Sequence, residues 1–403
     1  MSIDFALGPE AEAFAAEVRA WLAANPPDRF PIDGMDAGYG SGAHSRPFLQ
    51  ALAAQGWIAM TWPRAFGGAE RPFWTKLVLL EELALAGAPF GPLAGCDQAA
   101  DAIMARGSER LRRELLPRIA RGDATFWQGF SEPGAGSDLL GLTTEARRDG
   151  DDWIVRGHKI WSSHAGISSY GLVIARTARG ASRSDGLSMF VVDTKAPGMD
   201  VRPIVSLTGE VYHYEVFLDE VRVPGDYLLG TEHQGFRELL QSLDTDRFWG
   251  RFYKAPALRR VLDQLVRYAN ATHRDGAPLA RDAYVRRMFA ELAMDVEALR
   301  LYFYRIGWLL AERLPARYET ALGKVFADET GQRVGAFGLE LLGPHGTLAP
   351  DSPWAPLAGA IQHFYLTTMG HTIAGGTSEV LRTTVATRGL ALPREGRAAA
   401  RGA

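Results

Sequence analysis

From about Ala124 the apolar residues of this chain change period, from the three-to-four spacing of helices to strict alternation, and after Pro224 they change back. A chain that switches period twice in this way folds as helices, then a β-rich unit, then helices again. The predicted organisation is a helical domain over 1–123, a β-barrel domain over 124–233, a helical bundle over 234–395 and a tail over 396–403. At 403 residues the chain is long enough for two or three packed units.

Within the first third, Phe14, Val18, Trp21 and Leu22 recur at helical spacing before Pro26-Pro27 stops the run. A Gly- and Asp-rich loop spans Ile32 to Gly42. Helices are predicted over Phe48–Gln55, Lys76–Leu85 and Glu109–Ala120. In the middle, the Arg148–Asp152 turn predicts a hairpin leading into Trp153 and Val155. Further strands are expected at Leu172–Ala175, Ser188–Asp193 and Tyr214–Val223. The last third is helical to about Leu392, with breaks at Gly276–Pro278, Leu314–Pro315 and Gly343–Pro353.

Composition closes off several classes of function. The 44 basic and 47 acidic residues nearly cancel, which argues against nucleic acid or an anionic membrane as partner. The lone Cys96 allows no internal disulfide and no cysteine metal site, and the histidines show no ligand spacing. His158, His213 and His371 read as hydrogen-bonded polar residues. An acidic start and the lack of a long apolar run predict neither a secretory signal nor a membrane span, so a cytoplasmic location is expected.

Two segments carry chemistry. Phe126–Asp138 holds the Gly-rich, hydroxyl-bearing turn Ser131-Glu-Pro-Gly-Ala-Gly-Ser-Asp138, and Gly157-His-Lys-Ile-Trp-Ser-Ser163 follows it. A flat apolar ring beside hydroxyls, with backbone amides free to approach phosphate, suits a planar heterocycle carrying a pyrophosphate. Together with Gly56-Trp57, Trp62-Pro63, Gly67-Gly68, Asp219–Pro224, Gly235 and Gly375–Arg382, in this order, they make the chain resemble the flavin-dependent acyl-CoA dehydrogenase family over nearly its whole length. The resemblance is to bacterial members acting on bulky or steroid-type acyl-CoA.

The resemblance implies the α+β arrangement already read from periodicity, with a middle β-barrel and a C-terminal four-helix bundle. It implies FAD as cofactor, with Trp161 against the flavin ring, Ser163 near N5 and Ser131 at the pyrimidine edge. Gln128 through Phe130 offer backbone amides to that edge, Ser162 flanks the ring, and Gly136 and Ser137 lie near phosphate. Thr377 and Glu379 match further flavin contacts, and Thr377 also reads as an N-cap. Two stretches depart from the family pattern. Thr272–Pro278 offers only Arg274 where an arginine usually reaches the pyrophosphate, and Gly343-Pro-His-Gly346 replaces a Gly-Gly site.

The family's base, a Glu immediately before the closing Gly-Thr, is replaced here by Gly375, whose N–H is left to bond the thioester oxygen. The alternative base position falls on Asp246. Leu239, Leu243, Asp246, Gly250 and Tyr253 share one helical stripe, so desolvation would raise the Asp246 carboxyl while Arg247 would hold it charged. Asp246 and Arg247 read equally well as a structural ion pair. Tyr302, Phe303, Tyr304 and Trp308 read as a core or subunit-interface stripe. Glu215, Asp219, Glu220, Glu109 and Glu114 read as solvated charges.

The function implied is dehydrogenation of an acyl-CoA to a trans-2-enoyl-CoA, with electrons passed to an electron-transfer flavoprotein. The assembly expected is a homo-oligomer or a heteromer with a related subunit. Two alternatives stay open: a non-catalytic or FAD-sharing subunit of a heteromeric enzyme, and an oxidase or monooxygenase on the same fold.

Overall fold

The computed structural model describes residues 8–33, 43–180, 182–312 and 314–393, without the side chains of residues 238, 240–247 and 317. Its helices open with α1 (Pro9–Ala24), α2 (Arg46–Ala54), α3 (Phe73–Ala86), α4 (Leu93–Arg106) and α5 (Glu109–Ala120). Local chemistry sets their ends. Ser45 and Ser108 accept N-cap bonds from Phe48 and Leu111, while Gly87 closes α3 at φ 67°. The helix expected over Phe48–Gln55 starts two residues earlier because Ser45 supplies the cap and Pro47 sits in the first turn. Helix α4 escaped sequence reading because its buried face includes Cys96, Asp97 and Gln98.

The middle of the chain is one eight-stranded sheet. Its strands are β1 (Phe126–Gly129), β2 (Glu145–Asp149), β3 (Asp152–Lys159), β4 (Tyr170–Arg176), β5 (Leu187–Asp193), β6 (Met199–Val205), β7 (Val211–Val223) and β8 (Leu228–Leu229). The strand path runs β6-β7-β3-β2-β4-β5-β8, with β1 added parallel to β4. The expected hairpin is β2–β3, Asp149 facing Asp152 with Gly150 at φ 63°. Strands β4 and β5 are buried nearly end to end, because α4 and α5 share a single core with the sheet. Strand β6 was not foreseen. It is an edge strand with only a weak apolar pattern, and it carries Pro203.

Then come α6 (Gly235–Phe252), α7 (Lys254–Ala271), a two-strand hairpin of β9 (His273–Arg274) and β10 (Ala277–Pro278), α8 (Ala283–Ala311), α9 (Arg317–Leu342), α10 (Ala360–His371) and α11 (Ser378–Thr384). Leu258, Leu262, Leu265 and Ala269 form the buried stripe of α7. Asp282 caps α8 by accepting from Tyr284 and Val285. Helix α9 packs against α7, α8, α10 and α11. Phe303 and Tyr304 of the expected aromatic stripe are buried edge-on to Phe252. Val385 begins a π-helical turn directly beyond α11.

By internal packing the described residues up to 250 form one compact unit and those from 251 onward a second, the division falling inside α6. Each is described by itself below.

Candidate functional site

In the first unit the two motif segments come together. The Ser131 carbonyl accepts from the Ile160 N–H at 3.0 Å, which ties the Gly-rich turn to the segment leading into Trp161. Beneath them lies a buried ion pair that sequence reading did not find. Lys159 Nζ donates to Glu132 Oε1 at 2.9 Å and to the Phe130 carbonyl at 3.2 Å. The other Glu132 oxygen accepts from the Thr143 N–H at 2.6 Å and the Thr143 hydroxyl at 2.7 Å, and the Thr144 N–H adds a bond to Oε1 at 2.9 Å.

Burial alone would raise the Glu132 carboxyl, but Lys159 and the threonine donors outweigh it and hold the group at about 2. Burial lowers Lys159 to about 8 against the pull of Glu132, so both remain charged at neutral pH. Gly157 makes this approach possible, because a Cβ there would overlap the Thr144 side chain. Both residues stood in plain view in the two motifs. Nothing in the sequence signalled that a strand lysine was fully buried.

Trp161 has a left-handed backbone, φ 59°, and His164 another, φ 61°. A bulky residue in that region is a true outlier, and such strain concentrates at functional sites. The indole is turned outward and is 57% exposed, while Ser162 beside it is fully buried with its hydroxyl oxygen unbonded. Two backbone bonds, Ser162 N–H to the Tyr214 carbonyl at 3.0 Å and His164 N–H to the Tyr212 carbonyl at 2.8 Å, straddle Ser163 and fix it opposite His213. The Ser163 hydroxyl lies 3.1 Å from His213 Nδ1, and the His213 ring meets Trp161 edge-on at 6.0 Å. Burial pushes the imidazoles of His213 and His44 down to about 4 and that of His164 to about 3.

Gln128 lies in β1, its side chain donating to Gln98 at 2.6 Å, and Phe130 is buried just beyond. Gly136 and Ser137 are exposed on the turn. An exposed flat ring, the Ser163 hydroxyl two residues on and a glycine turn open to solvent fit a flavin in shape and hydrogen-bonding chemistry. Asp246 and Arg247 lie in α6, with side chains outside the described residues; Leu239, Gly250 and Tyr253 of their stripe are buried.

In the second unit, Gly375 (φ 69°) and Gly376 (φ 99°) form the turn before α11, and Thr377 caps that helix by accepting from Val380 at 3.2 Å. Glu379 stands exposed in the first turn of α11, its carboxyl lowered by its own backbone N–H and by Thr377. Gly343 ends α9 at φ 65°. The departed stretch 272–278 is the β9–β10 hairpin, turned by Asp275 and Gly276, both left-handed, with Arg274 exposed.

Under the Gly-Gly turn lies a second buried lysine. Lys324 Nζ donates to the carbonyls of His371 and Gly376, both at 2.8 Å, and pairs with Asp328 at 2.8 Å. Lys254 also pairs with Asp328, and Arg251 Nε lies 3.9 Å from it. Burial would raise Asp328, but these cations hold it at about 2. Burial lowers Lys254 to about 7, with Asp328 opposing and Arg251 and Lys324 adding to the fall. A Cβ on Gly375 would meet Arg251 Nη2 at 3.0 Å.

Other sequence readings resolve locally. His158 stacks on Phe217 and lies 3.2 Å from Glu215, Glu220 pairs with Arg147, and Glu114 accepts from Tyr227. Among the described residues no cluster of His, Cys, Asp and Glu could hold a metal ion, and no helix is long and apolar enough to cross a membrane.

Known proteins give this arrangement its place. The N-terminal, middle and C-terminal domain models of acyl-CoA dehydrogenases match residues 8–123, 128–221 and 233–390. The chain is 32% identical to the acyl-CoA dehydrogenase FadE26 of Mycobacterium tuberculosis, over 96% of this chain and 98% of that one. It is 31% identical to the acyl-CoA dehydrogenase IpdE1 of the same organism, over 96% and 99%. Among solved structures it resembles the Tcur3481-Tcur3483 steroid ACAD, with a TM-score of 0.87 at 30% identity over 98% of this chain and all of that one. The ChsE4-ChsE5 complex from Mycobacterium tuberculosis follows with a TM-score of 0.85 at 30% identity, over 98% and 100%. What fold and site define is a flavin-dependent oxidoreductase. More narrowly, the chain belongs to the acyl-CoA dehydrogenase family.

Proposed function

We propose that this chain takes two hydrogens from the α and β carbons of an acyl-CoA thioester, giving a trans-2-enoyl-CoA, with FAD as its flavin and an electron-transfer flavoprotein as the acceptor. The observation that carries the reading is the outward, left-handed Trp161 between the Ser131 turn and Ser163. Bound FAD supplies the hydride acceptor. Trp161 gives the ring an apolar face, and Ser131, Ser163 and the Gln128–Phe130 amides bond its polar edge. Ser162 lies beside them, and Gly136 and Ser137 serve the phosphates. Gly343, Thr377 and Glu379 are further cofactor contacts in this reading.

Asp246 takes the α-proton and Arg247 keeps its carboxylate charged. The Gly375 N–H bonds the thioester oxygen as negative charge grows there. The substrate is a bulky, polycyclic acyl-CoA of steroid type, a reading supported by the name of the steroid ACAD it resembles. Two of the similar structures are named as pairs of proteins, which supports a heteromer with a related subunit over a homo-oligomer. A cytoplasmic location belongs to the same reading and rests on balanced charge and a single cysteine.

The protein purified alone should be yellow, and anaerobic titration with linear, branched and polycyclic acyl-CoAs should bleach it with the polycyclic class first. Asp246→Asn should stop bleaching and leave FAD bound; retained bleaching removes Asp246 as base. The altered Thr272–Pro278 and Gly343–Gly346 stretches favour a second reading, a non-catalytic or FAD-sharing subunit of a heteromeric enzyme. Colourless protein that turns yellow only when made with its partner subunit would select it.

A further inference from the structure

We propose that His213 is a positioning residue which, by taking the proton of the Ser163 hydroxyl into a hydrogen bond, raises the reduction potential of the flavin beside it. The inference rests on the placement of the flavin proposed above.

Its geometry does not depend on that placement. The bonds from Ser162 and His164 to Tyr214 and Tyr212 hold residue 163 opposite residue 213 of β7, and the left-handed Trp161 and His164 frame the pair. With Nδ1 and Oγ 3.1 Å apart, one hydrogen must lie between them. A neutral imidazole favours its proton on Nε2, which leaves Nδ1 as an acceptor. Burial keeps His213 neutral well below neutral pH.

A serine hydroxyl has one proton and two lone pairs. With the proton directed at His213, Ser163 offers outward only lone pairs. An oxidised flavin has a lone pair at N5, which Ser163 then cannot satisfy. A reduced flavin carries hydrogen at N5, which Ser163 can accept. The pair therefore favours the reduced ring by one hydrogen bond, roughly a tenfold change in the reduction equilibrium. For a two-electron couple that corresponds to ~30 mV. His213 touches no reacting atom and acts only through the serine.

The test compares wild type with His213→Phe, His213→Asn, Ser163→Ala and the His213→Phe/Ser163→Ala double variant. The readouts are flavin content and flavin potential by equilibration with redox dyes. His213→Phe should lower the potential by about 30 mV. His213→Asn, whose side-chain oxygen can replace Nδ1 as acceptor, should restore it. In the Ser163→Ala background His213→Phe should move nothing. An unchanged or raised potential in His213→Phe, or an equal shift without Ser163, overturns the proposal while the flavin reading stands. Protein that takes up no flavin overturns both. On protein freed of flavin, ¹⁵N resonances of the His213 ring should report a proton on Nε2; a proton on Nδ1 overturns the proposal.

Discussion

Two turns in this molecule are held the same way and charged differently. Under the Ser131 turn, buried Lys159 bonds the Phe130 carbonyl and pairs with Glu132, one cation to one carboxylate. Under the Gly375–Gly376 turn, buried Lys324 bonds two carbonyls and pairs with Asp328, but Lys254 and Arg251 also lean on that single carboxylate. Backbone carbonyls need a donor when water is excluded, and a lysine can satisfy two of them and still reach an acid. The first turn is neutralised, so either partner is indispensable. At the second, three cations meet one carboxylate, so its members differ in worth.

Substitutions can break or sharpen that contrast. Lys159→Met should cost most, about 3–5 kcal/mol, because it strands a buried carboxylate. Denaturation combined with hydrogen exchange across residues 126–176 would measure it, and a loss under 1 kcal/mol would end the claim of balance. Lys324→Met should cost less, about 1–3 kcal/mol, since Asp328 keeps two cations and the main loss is two unbonded carbonyls. Gly375→Ala should cost about 1–2 kcal/mol through its left-handed backbone and the crowding of Arg251.

Lys254→Met should change stability at pH 7 by less than about 1 kcal/mol, because Asp328 keeps Lys324 and Arg251 beside it. Its signature is pH dependence. Lys254 titrates near 7 when folded and near 10.4 unfolded, so between those values the unfolded chain holds the extra proton and stability rises with pH. Lys254→Met should flatten that rise, and a parallel curve would refute the assignment. Glu132 works in the acid range. Its folded value of about 2 lies below the unfolded one, so its contribution is complete above about pH 4.3 and is lost as pH falls towards 2.

How much of this was legible differs by kind of signal. Periodicity named the helix–sheet–helix order because amphipathic faces must repeat with their element. It failed where the buried face is polar, as in α4 with Asp97 against Lys76, and where an edge strand needs no apolar stripe, as in β6. The motifs put Ser131, Trp161 and Ser163 in one place, since each lies on or beside a turn whose residues are chemically unusual. His213 was legible as a bonded histidine but not as the partner of Ser163, because that pairing spans 50 residues and is made by β7. Lys324 and Asp328 are four apart on α9, a spacing that reads as an exposed ion pair; only packing shows both fully buried.

Lys324 has one further consequence. It grips the last residue of α10 and the residue just before Thr377, so a single ammonium pins both ends of the loop at 372–376. That stretch cannot loosen by degrees. Both ends share one donor, so the amides between them should exchange with solvent together, as one cooperative opening rather than as a gradient of fraying.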